Sequence, residues 1–220
     1  MNKLKTLAAS VLLVSGMTVN SFADSSNFAG PYIGVHASAM GAALDGQHTD
    51  GDANAVVTKG TAGVVSMTAG AEIGFSKALS DVGFVTLAVS LNPIDAEFKA
   101  DDAANVNDVT LTFGDVIEVS IEPSFAVTSN SAFYVKAGYS EFTVDAKGTG
   151  LDAAQSFDIT GDTFGIGTKT VTDSGLYLKT EMGISSYDGF TLINVGTDDG
   201  TAKINDIEVA YGKFMIGKIF

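Results

Sequence analysis

The stretch VIEVSIEPSFAVTSNSAFYVKAGYSEF, Val116 to Phe142, alternates twice around a central turn. On its left arm Ile117, Val119, Ile121, Phe125 and Val127 alternate with Glu118, Ser120, Glu122 and Ser124. On its right arm Phe133, Val135, Ala137 and Tyr139 alternate with Tyr134, Lys136, Gly138 and Ser140. A strict period of two is the mark of a strand, and Thr128-Ser129-Asn130-Ser131 between the arms is turn chemistry, so the stretch predicts a β-hairpin. One face is apolar and the other carries charge, hydroxyl and glycine. That apolar face meets either a protein core or lipid.

The same alternation recurs on both sides. Before the hairpin it runs through Tyr32 to Met40, Val65 to Phe75, and Val85 to Asn92. After it come Thr163 to Thr170, Leu176 to Ile184, and a last segment ending at Phe220. Long Gly-, Asp- and Asn-rich stretches read as loops at Gly41 to about Gly63, Pro93 to about Gly114, about Asp145 to Gly161, and about Ser186 to Lys203. Short connections lie between them at Ser76 to Gly83, Thr128 to Ser131 and Thr172 to Gly175. Within the second loop Val109, Leu111 and Phe113 share the odd parity of Ile117 and Val119, which predicts an upward extension of that strand with the same face outward.

The expected fold is therefore an all-β, eight-stranded antiparallel up-and-down transmembrane β-barrel with four long extracellular loops and three short periplasmic turns. A soluble eight-stranded barrel with its apolar set inside is the competing architecture, because period two fixes the faces but not which one points outward.

The N-terminus reads as a secretory signal over residues 1–23, leaving a barrel domain over 24–220. Lys3 and Lys5 form its basic start, Leu7 to Val14 its apolar run, and Ser21-Phe22-Ala23 its cleavage site. Removing the two lysines takes the formal charge from −14 to −16, that is 10 Lys against 26 acids. With that balance and no Arg, no nucleic-acid partner is expected. Cysteine is absent, which excludes disulfide staples and thiol chemistry. Hydrophobic content is 45% and mean hydropathy +0.26, yet no stretch after the signal is long and apolar enough for a membrane helix. Any membrane span must be built of strands.

On the polar parity of the strands stand Glu72, Glu118, Glu122 and Glu181 with Lys136, Lys169, Lys179 and Lys213. Four of each sign make a neutral set. An eight-stranded barrel has an interior that side chains just fill, so these residues are expected to form a lumen charge network. The middle of the apolar parity carries no charge, which favours lipid outside. Partner identities are not readable, because strand register and shear are not. Of 19 Asp, sixteen lie in or beside the long loops, making that end strongly anionic.

Asp50-Gly51-Asp52 and Asp198-Asp199-Gly200 are the best divalent-cation spacings, but neither is an EF-hand loop, and no metal or cofactor is expected. His36, in the first strand, and His48, in a loop, stand in no Ser-and-acid arrangement, so the chain does not read as an enzyme. In the last strand, Lys213 turns inward and Lys218 reaches the lipid boundary if Phe220 faces lipid; the opposite parity puts Lys213 near mid-bilayer.

The hairpin also carries a resemblance. Glu122-Pro123-Ser124-Phe125 followed by Phe133-Tyr134-Val135-Lys136-Ala137-Gly138-Tyr139-Ser140 is similar to the "EPGY…YAKLGYS" hairpin of the small outer-membrane barrels of the OmpA/OmpX/opacity-protein superfamily. Gly30-Pro31-Tyr32-Ile33-Gly34 resembles the segment that opens their first strand, and the terminal Phe220 resembles their barrel-assembly signal. Two departures stand out: Lys218 replaces an aromatic or aliphatic residue, and with no Trp the interfacial girdle falls to Phe and Tyr.

The resemblance implies a monomer in the outer membrane of a Gram-negative bacterium. Outer-membrane lipid and lipopolysaccharide would surround it, and the barrel-assembly machinery would read Phe220. It implies a structural or surface-interaction role, with a narrow porin-like channel for small solutes or ions as the alternative. A peptidoglycan-binding domain of the OmpA kind is not present in the sequence.

Overall fold

The computed structural model describes residues 23–51, 57–93, 96–100, 109–195 and 200–220; nearly all of the signal stretch lies outside them. Ten strands follow one another: β1 Gly30–Thr49, β2 Val57–Ala78, β3 Gly83–Asn92, β4 Ala96–Ala100, β5 Val109–Phe113, β6 Val116–Ala126, β7 Ser131–Lys147, β8 Gln155–Val171, β9 Leu176–Val195 and β10 Gly200–Ile219. Eight of them close a ring in the order β1-β2-β3-β6-β7-β8-β9-β10, and β10 returns to β1 from Tyr32↔Ile219 to Thr49↔Thr201. All pairings are antiparallel. The β4–β5 hairpin hangs on the upper part of β7.

The three short turns and both ends of the described chain, Ala23 and Phe220, lie at one end of the ring. At the other end the structure corrects the sequence reading. Most of what reads as loop is strand: β1 continues to Thr49, β2 starts at Val57, β7 runs to Lys147, β8 starts at Gln155, and β9 and β10 reach Val195 and Gly200. The reason is a change of solvent along one strand. Up to Tyr139, the apolar residues of β7 point outward; from Phe142 they point inward, with Phe142, Val144 and Ala146 buried and no break in the pairing with β8. β1 makes the same exchange, from Ile33 and Val35 outside to Leu44 inside.

The outward band on the lower part includes Ile33, Val35, Ile73, Phe75, Leu87, Val89, Ile117, Val119, Phe133, Ile166, Met182, Ile184 and Phe214, each at least 43% exposed. Asp45, Asp115, Glu141, Asp162, Asp188 and Glu208 mark its upper limit, all exposed. Lys77 and Lys218 mark the lower limit. Between these rows no described outward side chain is charged. A closed ring needs no further strand partner, and an apolar belt of this extent facing water would be a large uncompensated exposure, so the belt faces lipid.

Above the belt the interior is an ordinary apolar core. Leu44, Val109, Leu111, Phe142, Val144, Leu151, Ile159, Tyr187, Phe190, Leu192 and Ile207 pack there. Bulges aim some of them. β5 and β6 act as one strand broken at Gly114-Asp115: Phe113 pairs with Val144 but Ile117 with Glu141, a slip of one residue. That slip turns Val109 and Leu111 inward, so the expected extension exists but shows the opposite face. A second irregularity at Gly189 and Asn205 leaves both Tyr187 and Phe190 inside on β9, and both Ile207 and Ile204 inside on β10.

The lower mouth is closed by a short 3-10 turn, Ser25–Phe28. Asp24 caps it, accepting hydrogen bonds from Ser26 N (2.9 Å) and Ser26 Oγ (2.6 Å), and these hold its carboxyl below the ordinary aspartate value. The cap delivers Phe28 into the barrel, where its ring stacks on Phe84 at 4.9 Å and 7°. Tyr32, Tyr177, Val171, Met215 and Ile219 complete this lower layer.

Candidate functional site: the charges of the lumen

Between the two apolar layers the inward residues of six strands converge. Glu72 comes from β2, Glu118 and Glu122 from β6, Lys136 from β7, Lys169 from β8, Lys179 and Glu181 from β9, and Lys213 from β10. All eight residues singled out in the sequence lie here, none more than 9% exposed.

Their contacts form one chain of alternating sign. Glu118 meets Lys136 at 2.8 Å, and Lys136 meets Glu181 at 2.6 Å. Glu181 and Glu72 share Lys213, each at 3.3 Å. Glu72 also meets Lys179 at 2.8 Å, and Lys179 pairs in turn with Glu122. Glu122 Oε2 ends the series on Lys169 at 2.7 Å, in an ion pair that lacks hydrogen-bond alignment. A cross-link of 3.6 Å joins Lys179 to Glu181. Desolvating eight charges is compensated only when every one has an opposite partner and its remaining donors and acceptors are satisfied.

Sequence reasoning missed the second set of residues, which does that satisfying. The Tyr32 hydroxyl donates to Glu72 (2.7 Å), Tyr134 to Glu181 Oε2 (2.7 Å) and Tyr211 to Glu181 Oε1 (2.9 Å). Lys169 donates to Thr86 Oγ1 at 2.8 Å and lies 4.8 Å above the Tyr134 ring. Their signal was available, since Tyr32, Thr86, Tyr134 and Tyr211 share the parity of the charges. Two glycines make room for the rings: a Cβ on Gly74 would sit 2.5 Å from Tyr32 Cε1, and one on Gly167 would sit 2.5 Å from the Tyr134 hydroxyl.

His36 is buried beside this network. Its Nδ1 lies 3.5 Å from Ser38 Oγ and its Nε2 has no partner; no acid orients the ring toward a nucleophile. His48 Nε2 lies 3.1 Å from Asp50 Oδ1 near the top of the barrel. Asp52, Asp198 and Asp199, the other members of the acid spacings, lie outside the described residues. Phe220 is 73% exposed, and its N–H donates to Pro31 O at 2.9 Å, at the foot of the β1–β10 seam. The last strand thus faces lipid through Phe214, Ile216 and Phe220, with Lys213 inside and Lys218 bonded to the Ser174 carbonyl in the turn.

No family model and no curated protein sequence matches the chain. In architecture it is similar to small outer-membrane β-barrels of the OmpA/OmpX-like group. Ail, the attachment invasion locus protein of Yersinia pestis, aligns at 12% identity over 85% of this chain and 99% of its own, with a TM-score of 0.46. Neisserial surface protein A aligns at 12% identity, covering 84% and 97%, with a TM-score of 0.43. The N-terminal barrel of Pseudomonas aeruginosa OprF aligns at 14% identity, covering 79% and 96%, with a TM-score of 0.33. At these levels the likeness is one of barrel type, and the chain's own residues carry the rest.

Proposed function

We propose that this chain is a closed outer-membrane barrel with a structural or surface-interaction role, holding an acidic strand scaffold above the lipid surface. The observation that carries this reading is the unbroken chain from Glu118 to Lys169 across the lumen, with every side chain at 11% exposure or less. Apolar layers lie above and below it, so no hydrated path crosses the lumen from end to end. The acid row at Asp45, Asp115, Glu141, Asp162, Asp188 and Glu208 gives the outer half its surface character. In this reading export depends on the Met1 to Ala23 signal, and the assembly machinery reads Phe220. The barrel then stands as a monomer among outer-membrane lipid and lipopolysaccharide. It performs no catalysis.

The test is single-channel recording in a planar bilayer, on protein whose folding is verified by its heat-modifiable gel shift. A silent membrane is the expected result. Discrete, reproducible openings would replace this reading with that of a narrow porin-like channel, and the lumen Lys and Glu would become its selectivity residues.

A further inference from the structure

The charged layer and the upper core do not meet. Between them lies a cavity of about 120 Å³, comparable to the roughly 150 Å³ apolar cavity known to hold a benzene ring. Its walls are mainly apolar, with Leu44, Val64, Phe113, Phe142 and Ile207, and also carry Ser66 and Asn92. Its floor is polar: Glu118, Lys136 and Lys213 of the charge chain, with Ser90. Lumens of membrane barrels are usually polar, and a greasy chamber on an ionic floor departs from that rule.

Two features of the floor point to a ligand. Ser90 is 2% exposed, yet its Oγ has no hydrogen-bond partner. It sits directly across the strand pair from Glu118. Glu118 closes one end of the charge chain, holding a single lysine, and its side chain is the most exposed of the eight at 11%. A buried hydroxyl without a partner is costly, and one beside an incompletely covered carboxylate is a prepared donor–acceptor pair. The cavity also borders upper β2. Over Val57 to Gly70, β2 has β1 as its sole partner among the described residues, since its pairing with β3 begins at Ala71.

We propose that this cavity binds a small neutral amphiphile: an apolar body of about one ring, carrying one hydroxyl. The hydroxyl donates to the Glu118 carboxylate and accepts from Ser90 Oγ, while the ring fills the space between Val64, Phe113 and Phe142. A carboxylate head is disfavoured, because it would stand against Glu118 over a network already neutral. Entry runs beside upper β2, past Val64 and Ser66.

The experiment uses the full barrel folded in detergent, with 4-fluorophenol, fluorobenzene and 4-fluorobenzoate as probes and fluorine NMR as the readout. 4-Fluorophenol is expected to bind saturably at one site per barrel. Fluorobenzene should bind about tenfold more weakly, the equivalent of one lost hydrogen-bond pair, and the benzoate more weakly than the phenol. Ser90→Ala should weaken the phenol about tenfold and leave fluorobenzene unchanged. Val64→Phe fills the chamber and should abolish saturable binding of all three. Ala42→Leu does the same from the neighbouring strand, where Ala42 pairs with Val64, if the first filling variant fails to fold by gel shift. Absence of a saturable phenol component in the folded wild type overturns the proposal. So does saturable binding retained in a folded chamber-filling variant, or benzoate binding tighter than phenol.

Discussion

Lys179 is the cation on which the lumen depends most. It contacts Glu72 at 2.8 Å, Glu181 at 3.6 Å and Glu122, and its side chain is wholly buried. Lys179→Met keeps most of the volume and removes the charge. Glu72 then retains only Lys213, Glu122 only Lys169, and the layer carries one uncompensated negative charge. Removing one partner from a buried ionic set costs about 3–5 kcal/mol. At a urea slope of about 2 kcal/mol per molar, that moves the unfolding midpoint down by roughly 2 M.

The assay is a urea titration of vesicle-inserted protein, scored by the folded and unfolded gel bands. Lys179→Met with Glu122→Gln restores neutrality and should recover more than half of the loss. Lys147→Met, at an exposed position on upper β7, should change stability by less than about 0.5 kcal/mol. A midpoint for Lys179→Met indistinguishable from that of Lys147→Met would refute the account. A double variant as weak as the sum of its parts would also refute it, since charge compensation would then not be what holds the layer.

Gly167→Ala sets a Cβ against the Thr180 carbonyl oxygen and 2.5 Å from the Tyr134 hydroxyl, so it should strain the β8–β9 pairing as well as the Tyr134 bond to Glu181, lowering stability by about 1–3 kcal/mol in the same titration. Phe28→Ala removes the ring stacked on Phe84 at the lower mouth and should cost about 3–5 kcal/mol; a change below 1 kcal/mol would mean the 3-10 turn is not part of the barrel. Val119→Lys places a charge in the middle of the outward belt and should cost about 2–4 kcal/mol in vesicles, whereas Ser156→Lys on exposed upper β8 should be neutral. Because the chain has no Trp, Val89→Trp and Val144→Trp each report alone: brominated lipid tails should quench the first and not the second.

The belt was legible in the sequence because its period of two is undisturbed from Ile33 to Ala39 or from Ile117 to Ile121, and the eight lumen charges follow from the same parity. Their pairing was not legible. Lys136 reaches both Glu118, on the neighbouring strand β6, and Glu181, two strands away on β9, and only register and shear decide that. The upper strands were hidden for a different reason. Phe142-Val144-Ala146 and Phe157-Ile159 alternate as well as the belt does, but on the opposite face, among Asp, Gly and Thr that imitate loop composition. That inversion is itself a readable mark of the lipid boundary, since outward residues meet hydrocarbon below it and water above. The face of Val109 and Leu111 was misread because a one-residue slip at Gly114-Asp115 resets parity without an obvious sequence signal. The cavity was invisible, being a property of what the charged layer and the upper core leave between them.

The seam between β1 and β10 has a kinetic consequence. Its paired residues, such as Val35 and Ile216, are separated by nearly the whole chain, so the seam forms against the largest loop-closure entropy in the molecule. Lys213 stands on the closing strand, and Glu72 and Glu181 on the strands to either side of the seam pair. An open sheet therefore keeps these groups hydrated, and their water is shed only as the edges zip. Seam closure and the pairing of Lys213 with Glu72 become a single event, with β10 as its trigger.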